Sequence, residues 1–355
     1  MYPALSILQA IGNRASEVLW VGGEGGMEAE LIASRSIPFK AVPAAGVHGV
    51  GLSKLPGNLW KLLKGVAASR KILREFAPDV LLFTGGFVAV PMALAGISRN
   101  SLLYVPDIEP GLALRTLARF SDLIALTAEP SKEYFGASKK TAVTGYPTRA
   151  DFVKMDKAEA RKKLGLKQGQ PVLLIVGGSK GAHLINTAVL PNLTALLPEF
   201  QVVHVSGTSN FEECQQFQAS MAPQLKANYH LYPYLYDEVS LAFSAADLAI
   251  SRAGASILGE LPLMGLPAVL VPYPFAWRYQ KVNADYLVQR GAAVVVNNSD
   301  LQEQLLPTIK ELFSNPTKLD AMSRAMSALA TPQAAAKLAD LVCQLAKSAQ
   351  GGKHD

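Results

Sequence analysis

Segment 245–283 holds the most informative combination of residue types in the chain. An apolar run from Leu248 to Ile250 predicts a buried strand, Gly254 lies in the turn that follows, and Ser256 is a candidate N-cap for the next helix. The start of such a helix presents free N–H groups to an anion, and Gly254 allows a ligand to approach the backbone. Glu260 lies one helical turn after Ser256, so its carboxylate could accept hydrogen bonds from two ribose hydroxyls. An ordinary βαβ unit with a surface glutamate would show the same pattern.

Two other glycine-rich turns each follow an apolar run that predicts a strand. Gly85 and Gly86 follow the first run, and Ser179 lies in the turn 177–182 after the second. Backbone amides in such turns can hold a phosphate, and Ser179 adds a hydroxyl group. Both turns are therefore candidate phosphate-binding loops.

The second of these turns allows another interpretation. Gly177, Ser179 and Gly181 match the Gly-x-Ser-x-Gly nucleophile elbow of hydrolases, which also need an acid and then a histidine further along the chain. The later histidines are His183, His204, His230 and His354. None of them lies in an evident loop with an acid in that order, so the pattern disfavours a hydrolase.

Two carboxylates follow a third predicted strand. Asp107 and Glu109 lie in a loop after the apolar run from Ser101 to Val105. Carboxylates in such a position are candidates for acid–base catalysis. They can equally be turn-forming residues, because aspartate and the neighbouring prolines favour turns.

A basic amphipathic segment runs from Leu55 to Phe76. Trp60 belongs to its apolar side, and Lys61 and Lys64 belong to its charged side. A helix of this kind can lie on an anionic membrane surface with the tryptophan near the headgroups. A surface helix packed on its own domain with a solvated basic side would look the same.

The composition narrows the class of protein. With 50% hydrophobic and 17% charged residues, the chain of 355 residues can build large cores, and its length suits two domains. Two cysteines, Cys214 and Cys343, give neither a disulfide framework nor a metal-binding cluster. The net charge of +6 favours an anionic partner, such as a nucleotide, a phospholipid surface or a nucleic acid. No apolar run reaches the ~18 residues of a membrane-spanning helix.

Strand and helix patterns alternate twice along the chain, which predicts an α/β protein with parallel sheets. A polar segment, 150–170, separates the two series and is the predicted linker. The predicted domains are 1–149, 150–328 and a C-terminal segment, 329–355. Residues 302–347 are predicted to be helical.

Several of these motifs together resemble the MurG-like glycosyltransferases of family 28, which add N-acetylglucosamine to lipid I. The resemblance extends over nearly the whole chain. Its strongest segments are Tyr2–Leu5, Thr84–Val88, Val143–Arg149, Gly177–Ala182 and Ser251–Glu260. Any one of these segments is weak evidence, but their combination is specific.

The resemblance implies a GT-B fold, in which two Rossmann-like doubly wound domains face a cleft. It implies UDP-N-acetylglucosamine as the donor on the C-terminal half and an undecaprenyl-linked acceptor, lipid I, on the N-terminal half. The last helix would return to the first domain. The chemistry would be inverting, with no metal or other cofactor and no nucleic acid partner. The enzyme would be peripheral on the cytoplasmic face of the cell membrane.

The resemblance also implies the residues that hold the donor. They are Arg149, Ser179, Leu235, Gly254, Ala255, Glu260, Gln280 and Asn283. Arg149, Ser179 and the helix start before Glu260 would stabilise the diphosphate. The backbone of Leu235 would meet the uracil, and Glu260 would bind the ribose.

The chain departs from the family pattern at three places. The family usually has His-Glu-Gln-Asn where residues 104–107 are Tyr-Val-Pro-Asp. Gln280 and Asn283 would hold the sugar, but the usual pair of glutamines is Tyr279 and Gln280 here. Pro262 lies inside the helix that carries Glu260 and is expected to kink it.

The N-terminus gives a further expectation. Helical spacing from Tyr2 to Ile11 precedes the first predicted strand, Glu17 to Val21, whereas a doubly wound domain begins with a strand. Family members have a strand and a Gly-Gly-Thr-Gly-Gly-His turn before the matching segment. We therefore expect that the chain lacks its true start, and with it the histidine of that turn, which is often proposed as the base. The alternative is a shortened paralogue that binds the donor and uses Asp107 or Glu109, or no residue, as the base.

Three other functions remain open from the sequence. The first is a glycosyltransferase of the same fold that acts on another lipid, such as diacylglycerol. The second is a nucleotide-sugar epimerase, which shares the fold but does not need a membrane-facing helix. The third is a non-catalytic protein that binds a UDP-sugar.

Overall fold

The structure is a computed structural model. It describes residues 1–26, 28–44, 55–177, 183–274 and 279–351. The chain divides into two compact units. Unit 1 comprises Met1–Arg149 and Gln333–Asp355, and unit 2 comprises Ala150–Pro332.

Unit 1 contains two sheets, and all the pairings within each sheet are parallel. The strands are β1 (Trp20–Gly23), β2 (Phe39–Val42), β3 (Leu81–Phe83), β4 (Ser101–Val105), β5 (Leu123–Leu126) and β6 (Thr141–Val143). One sheet has the order β1-β2 and the other has the order β3-β4-β5-β6. The helices are α1 (Tyr2–Ile11), α2 (Glu28–Ala33), α3 (Leu55–Phe76), α4 (Ala89–Ala95), α5 (Leu112–Ala118) and, at the end of the chain, α16 (Ala334–Gly351).

Helices α1 and α16 pack together on the four-stranded sheet. Ile7 of α1 and Leu338 of α16 are fully buried in one cluster with Tyr104 of β4. Burial of each aliphatic side chain contributes about 1.5–3 kcal/mol. Arg14 Nη1 also donates to Asp340 Oδ1 over 2.6 Å, but both side chains are exposed, so this ion pair adds little stability. Apolar contact therefore fixes the C-terminal helix to unit 1.

Helices α3 and α4 belong to a second cluster of unit 1. Ile72 of α3 and Met92 of α4 pack with Leu103 of β4. Gly65 lets α3 approach its neighbours closely, because a Cβ atom there would lie 2.2 Å from the carbonyl oxygen of Pro43. A larger residue at this position would push α3 outwards.

Unit 2 contains one parallel sheet with the order β12-β11-β10-β7-β8-β9. The strands are β7 (Val172–Val176), β8 (Gln201–Val205), β9 (Tyr229–Tyr232), β10 (Leu248–Ser251), β11 (Ala268–Leu270) and β12 (Ala293–Val295). The helices are α6 (Lys157–Lys163), α7 (His183–Val189), α8 (Leu193–Leu196), α9 (Phe211–Ser220), α10 (Pro223–Lys226), α11 (Val239–Ala245), α12 (Ile257–Met264), α13 (Tyr279–Val288), α14 (Leu301–Ser314) and α15 (Pro316–Ser327).

The strand order of unit 2 is that of a Rossmann-type doubly wound sheet. The first strand, β7, lies in the middle between β10 and β8. Residues 172–175 of β7 are fully buried. Helices on both faces of a parallel sheet require such a continuous apolar strand, which is the pattern that predicted this element.

The segment predicted as a linker, 150–170, is partly folded onto unit 2. Asp247 Oδ2 accepts hydrogen bonds from Arg161 Nη2 over 2.6 Å and from the backbone N–H of Val172 over 2.7 Å. Arg161 Nε also donates to the carbonyl oxygen of Ala245. The carboxylate thus ties α6 to the first residue of the central strand.

The residues predicted to be helical, 302–347, form three helices. The stretch contains α14, α15 and most of α16, with breaks at Asn315 and at residues 328–333. The Asn315 side chain caps α15 by accepting from the N–H of Lys318 over 3.0 Å, and Pro316 occupies the first turn. By contrast, α1 and α3 have the predicted bounds.

Candidate functional site

Gly254 and Ala255 follow β10 at the carboxyl end of the unit 2 sheet, and both are partly exposed. Ligands of doubly wound sheets bind at this end of the strands. A Cβ atom on Gly254 would meet no atom of the described residues within 4 Å, and its φ is not positive. Packing and backbone conformation therefore do not require glycine at 254, which is consistent with the predicted approach of a ligand.

Glu260 lies on α12, immediately after this turn. Its N–H donates to the carbonyl oxygen of Ser256 over 2.9 Å, and its side chain is half-buried. Ser256 is the N-cap, as predicted, but its side chain makes no capping hydrogen bond. Pro262 lies inside the helix, and Gly265, with φ of 65°, ends it in the left-handed conformation. Glu260 is thus one turn from the start of a short, well-terminated helix.

Asn283 and Gln280 lie on α13 and both contact loop backbone. Asn283 is fully buried, and its Nδ2 donates to the carbonyl oxygen of Ala253 over 3.1 Å. Gln280 Oε1 accepts from the N–H of Tyr273 over 2.9 Å. These contacts hold the loops after β10 and β11. The predicted contacts of the two side chains with the sugar stay predictions.

Arg252 is a residue that the sequence reasoning did not select. It is buried, and its Nη1 donates to the carbonyl oxygen of Val271 over 3.1 Å and to Asn298 Oδ1 over 2.7 Å. Its guanidinium also lies 5.4 Å from the ring centroid of Tyr273. Burial lowers the pKa of Arg252 from its usual value. One arginine therefore joins the ends of β10, β11 and β12, and the signal was a lone charge directly after a buried strand.

Leu235 lies in the loop after β9. It is buried, whereas Tyr236 beside it is largely exposed. The rings of Tyr234 and Tyr236 meet edge to face with centroids 4.6 Å apart. The loop thus presents aromatic surface next to the Leu235 backbone, where the uracil is predicted to bind.

Ser179 lies outside the described residues, but α7, which follows its loop, is held by a buried polar network. Asn186 Nδ2 donates to the carbonyl oxygen of Ser206 over 2.9 Å, so its Oδ1 faces His204 Nε2 at 2.9 Å. Nε2 therefore carries the proton, and Nδ1 accepts from the Tyr229 hydroxyl over 2.8 Å. Burial lowers the pKa of His204 to about 3, so the ring is neutral.

In unit 1, Gly85 and Gly86 follow β3. Their φ angles of 108° and 85° lie in the region that favours glycine. A Cβ atom on Gly85 would also lie 3.2 Å from Leu114 Cδ2. The turn before α4 thus depends on both glycines, and its predicted contact with acceptor or phosphate stays a prediction.

The two candidate bases differ in their surroundings. Glu109 is 5% exposed, and its Oε1 accepts from Arg115 Nη2 over 3.1 Å. Arg115 Nε also donates to the carbonyl oxygen of Pro110. Asp107 is only partly buried. The ion pair with Arg115 gives Glu109 a role in holding the loop. Because Glu109 is buried and Asp107 is only partly buried, Asp107 is the more accessible carboxylate.

Tyr104 is the first residue of the run 104–107, where the family pattern has the histidine of His-Glu-Gln-Asn. It is fully buried, and its hydroxyl lies 2.8 Å from Thr127 Oγ1. Burial raises the pKa of Tyr104 well above its usual value. This residue is part of the core beneath the loop of Asp107.

Arg149 is the last residue of the N-terminal segment of unit 1. It is partly buried, and its guanidinium carbon lies 6.0 Å from the ring centroid of Tyr2 on α1. The predicted contact of Arg149 with the donor diphosphate stays a prediction.

Helix α3 exposes apolar side chains beside basic ones. Leu59, Trp60 and Leu63 are 52%, 60% and 55% exposed. Lys61 and Lys64 are also exposed, and Lys64 Nζ lies 5.4 Å from the Trp60 ring centroid. Among the described residues, no helix is both long and apolar enough to cross a membrane.

Comparisons with known proteins cover both units. The sequence model of the glycosyltransferase family 28 N-terminal domain matches residues 1–126, and that of the C-terminal domain matches residues 172–341. The chain is 37% identical over 403 residues to UDP-N-acetylglucosamine–N-acetylmuramyl-(pentapeptide) pyrophosphoryl-undecaprenol N-acetylglucosamine transferase of Roseiflexus sp. (strain RS-1). That similarity covers 96% of this chain and 91% of the relative.

Comparison with solved structures also finds a glycosyltransferase of this kind. MurG of Acinetobacter baumannii matches with a TM-score of 0.78 and 26% identity over 97% of this chain and 95% of its own. UDP-GlcNAc 2-epimerase from Neisseria meningitidis matches with a TM-score of 0.66 over 97% of this chain and 96% of its own, but at 14% identity this likeness shows the fold alone.

Proposed function

Because the chain belongs to glycosyltransferase family 28, we propose that it transfers N-acetylglucosamine from UDP-N-acetylglucosamine to the undecaprenyl-linked muramyl-pentapeptide, lipid I, in peptidoglycan synthesis. The observation that carries this proposal is the 37% identity to a transferase of that name over 96% of the chain. The predicted family, the predicted enzyme class and the α/β fold of the GT-B glycosyltransferases are confirmed.

Unit 2 holds the donor in this proposal. The start of α12 and the loop of Ser179 face the diphosphate, and Glu260 accepts hydrogen bonds from the ribose hydroxyls. The Leu235 backbone meets the uracil. Support comes from the partly exposed turn at Gly254 and from Glu260 one turn along α12.

In the reaction, the acceptor hydroxyl attacks the anomeric carbon of N-acetylglucosamine. The new glycosidic bond forms on one face while the bond to UDP breaks on the other, so the configuration inverts. Asp107 takes the hydroxyl proton, since it is the less buried of the two candidate carboxylates. Arg149 and the α12 start balance the negative charge on departing UDP.

The enzyme works on the cytoplasmic face of the cell membrane as a peripheral protein. The lipid tail of the acceptor requires access to a membrane surface. Trp60 with Lys61 and Lys64 suits contact with anionic headgroups, because the aromatic side chain and the positive charges are exposed together.

The test is UDP release from UDP-N-acetylglucosamine with and without lipid I, followed by product analysis. Release that requires lipid I and yields a disaccharide-linked lipid supports the proposal. Release with diacylglycerol instead indicates another lipid acceptor, and conversion of the sugar without acceptor indicates an epimerase. Donor binding with neither reaction indicates a non-catalytic protein.

A further inference from the structure

The loop that carries Asp107 begins at the carboxyl end of β4, where the sheet pairing with β5 stops. Val105 and Leu126 are the last residues of these two strands that pair in register. The next residues, Pro106 and Thr127, therefore follow opposite each other. Because proline has no N–H group, its carbonyl oxygen is the one backbone group of Pro106 that can form a hydrogen bond.

The side chain of Thr127 forms this hydrogen bond. Thr127 is buried, and its Oγ1 donates to the carbonyl oxygen of Pro106 over 2.8 Å. The carbonyl oxygen of Val105 lies 3.1 Å from the same Oγ1. A side-chain hydroxyl group thus extends the attachment between the two chain segments by one residue beyond the sheet.

Tyr104 fixes the orientation of this hydroxyl group. The Tyr104 hydroxyl lies 2.8 Å from Thr127 Oγ1, but 3.4 Å from the carbonyl oxygen of Gly145. The shorter distance is the usual one for an O–H···O bond, so Tyr104 donates to Thr127, and the single hydroxyl proton of Thr127 goes to Pro106. Burial raises the pKa of Tyr104 well above its usual value, and the charge of Asp107 acts in the same direction. The Tyr104 hydroxyl therefore stays protonated and remains a donor.

Asp107 lies between two fixed points of its loop. The Pro106 carbonyl oxygen is held on one side. On the other side Ile108 is buried, and Glu109 Oε1 accepts from Arg115 Nη2 over 3.1 Å. The backbone of Asp107 is thus restrained at both ends. This restraint matters for a base, because a displacement of about 1 Å can lower the rate of a reaction by about 100-fold.

We propose that Thr127 is a positioning residue for the transfer reaction. Its hydroxyl group, oriented by Tyr104, holds the start of the loop in the place from which the Asp107 carboxylate contacts the acceptor hydroxyl. Thr127 and Tyr104 are both buried, so they act through the backbone of Pro106 rather than on a substrate. This inference rests on the proposed function, in which Asp107 takes the proton.

The first test separates the rate of the reaction from donor binding. Thr127→Val replaces the hydroxyl by a methyl group of similar volume and should lower kcat of lipid I-dependent UDP release at least about tenfold. The dissociation constant of UDP, measured by calorimetry, should stay unchanged, because all proposed donor residues except Arg149 lie in unit 2. Thr127→Ser keeps the hydroxyl group and should restore most of kcat. Tyr104→Phe should lower kcat by a smaller factor than Thr127→Val, since Pro106 keeps its hydrogen bond.

A matched control removes a buried hydroxyl group from the other end of β4. Ser101 Oγ donates to Asp122 Oδ2 over 3.0 Å, and Ser101 is buried. Ser101→Ala therefore also loses a buried hydrogen bond of unit 1, but it should keep the wild-type kcat. The second test is hydrogen exchange without any substrate. Amides of residues 107–109 should exchange faster in Thr127→Val than in Ser101→Ala.

The proposal is overturned if Thr127→Val and Ser101→Ala have the same kcat, or if Thr127→Ser is as slow as Thr127→Val. Equal exchange of residues 107–109 in Thr127→Val and Ser101→Ala would also overturn it. A wild-type protein without transferase activity would contradict the proposed function instead. The exchange measurement uses no substrate, so it would still decide whether Thr127 holds the loop.

Discussion

At the scale of single residues, Glu260 gives the most direct test of donor binding. Its carboxylate is proposed to accept two hydrogen bonds from the ribose, and a bond to a charged group is worth about 1.5–3 kcal/mol. We expect Glu260→Ala to weaken UDP binding by at least about tenfold, measured by calorimetry. Glu303→Ala removes an exposed carboxylate from α14 in the same unit and should leave the dissociation constant unchanged. An unchanged constant in the Glu260 variant would contradict the ribose assignment.

Arg252 is expected to act through the loops that it joins. Arg252→Met removes the charge but keeps much of the apolar volume, and it leaves the Val271 carbonyl without this donor. We expect unit 2 to lose roughly 1–3 kcal/mol of stability, measured by hydrogen exchange in β10 and β11. UDP affinity should fall as well, because the loop before α12 loses its support. Arg324→Met, at an exposed position on α15, is the control. If amide hydrogen exchange in β10 and β11 is the same in both variants, Arg252 does not stabilise these loops.

His204 predicts how unit 2 responds to acid. Burial lowers its pKa to about 3 in the folded protein, so the unfolded chain, with the usual pKa of 6.5, binds the proton first as pH falls. Stability from this group is therefore complete above pH 6.5 and is lost progressively towards pH 3. The loss between pH 7 and pH 5 should be about 2 kcal/mol.

The measurement is hydrogen exchange of β8 at both pH values, corrected for the intrinsic rates. His204→Gln cannot titrate, so its stability should be lower at pH 7 but should change less between the two values. His183→Gln, at an exposed position, should keep the wild-type pH dependence. The same dependence in the His204 variant would show that other groups cause it.

Residue types and spacing identified the turn at Gly254 and the position of Glu260, because both follow from one βαβ unit. They did not identify the contacts of Arg252 with Val271 and Asn298, which are 19 and 46 residues away. The bond from Asn283 to Ala253 spans 30 residues. Local patterns cannot show such contacts, because they depend on which loops the sheet order brings together.

At the scale of elements, α3 carries the membrane prediction. Its exposed Trp60, Lys61 and Lys64 should bind vesicles that contain anionic lipid, with about 1 kcal/mol from each basic residue near the surface. Lys61→Glu with Lys64→Glu should abolish co-flotation with such vesicles at low salt. Lys162→Glu with Lys163→Glu makes the same change of net charge on α6 of unit 2 and should not. If the α3 double variant still co-floats with the vesicles as well as the α6 double variant does, α3 is only a packed surface helix.

The elements themselves were predicted with uneven success, and the reason is physical. The helical spacing of apolar residues predicted α1 and α3, because each has an apolar stripe over several turns. It missed β2, since Phe39–Val42 is short and has an exposed centre. It predicted helix over 302–347 without the break at Asn315, because an alanine- and leucine-rich composition conceals the cap there. Short strands and helix caps depend on single residues, so the spacing of apolar residues does not reveal them.

At the scale of the whole molecule, the two units predict where a nucleotide acts. Except for Arg149, the proposed donor residues belong to unit 2, which has its own buried core. At about 100 times its dissociation constant, UDP should stabilise the unit that binds it by about 2.7 kcal/mol. Amides of β7 and β10 that exchange through opening of unit 2 should then exchange about 100-fold more slowly. Amides of β4 and β5 in unit 1 should slow much less, because Arg149 is the only donor residue proposed in unit 1. Arg149→Met in the same experiment reports whether unit 1 adds a donor contact, through a higher dissociation constant. Equal slowing in β4 and β7, or slowing in β4 alone, would contradict the assignment of the donor to unit 2.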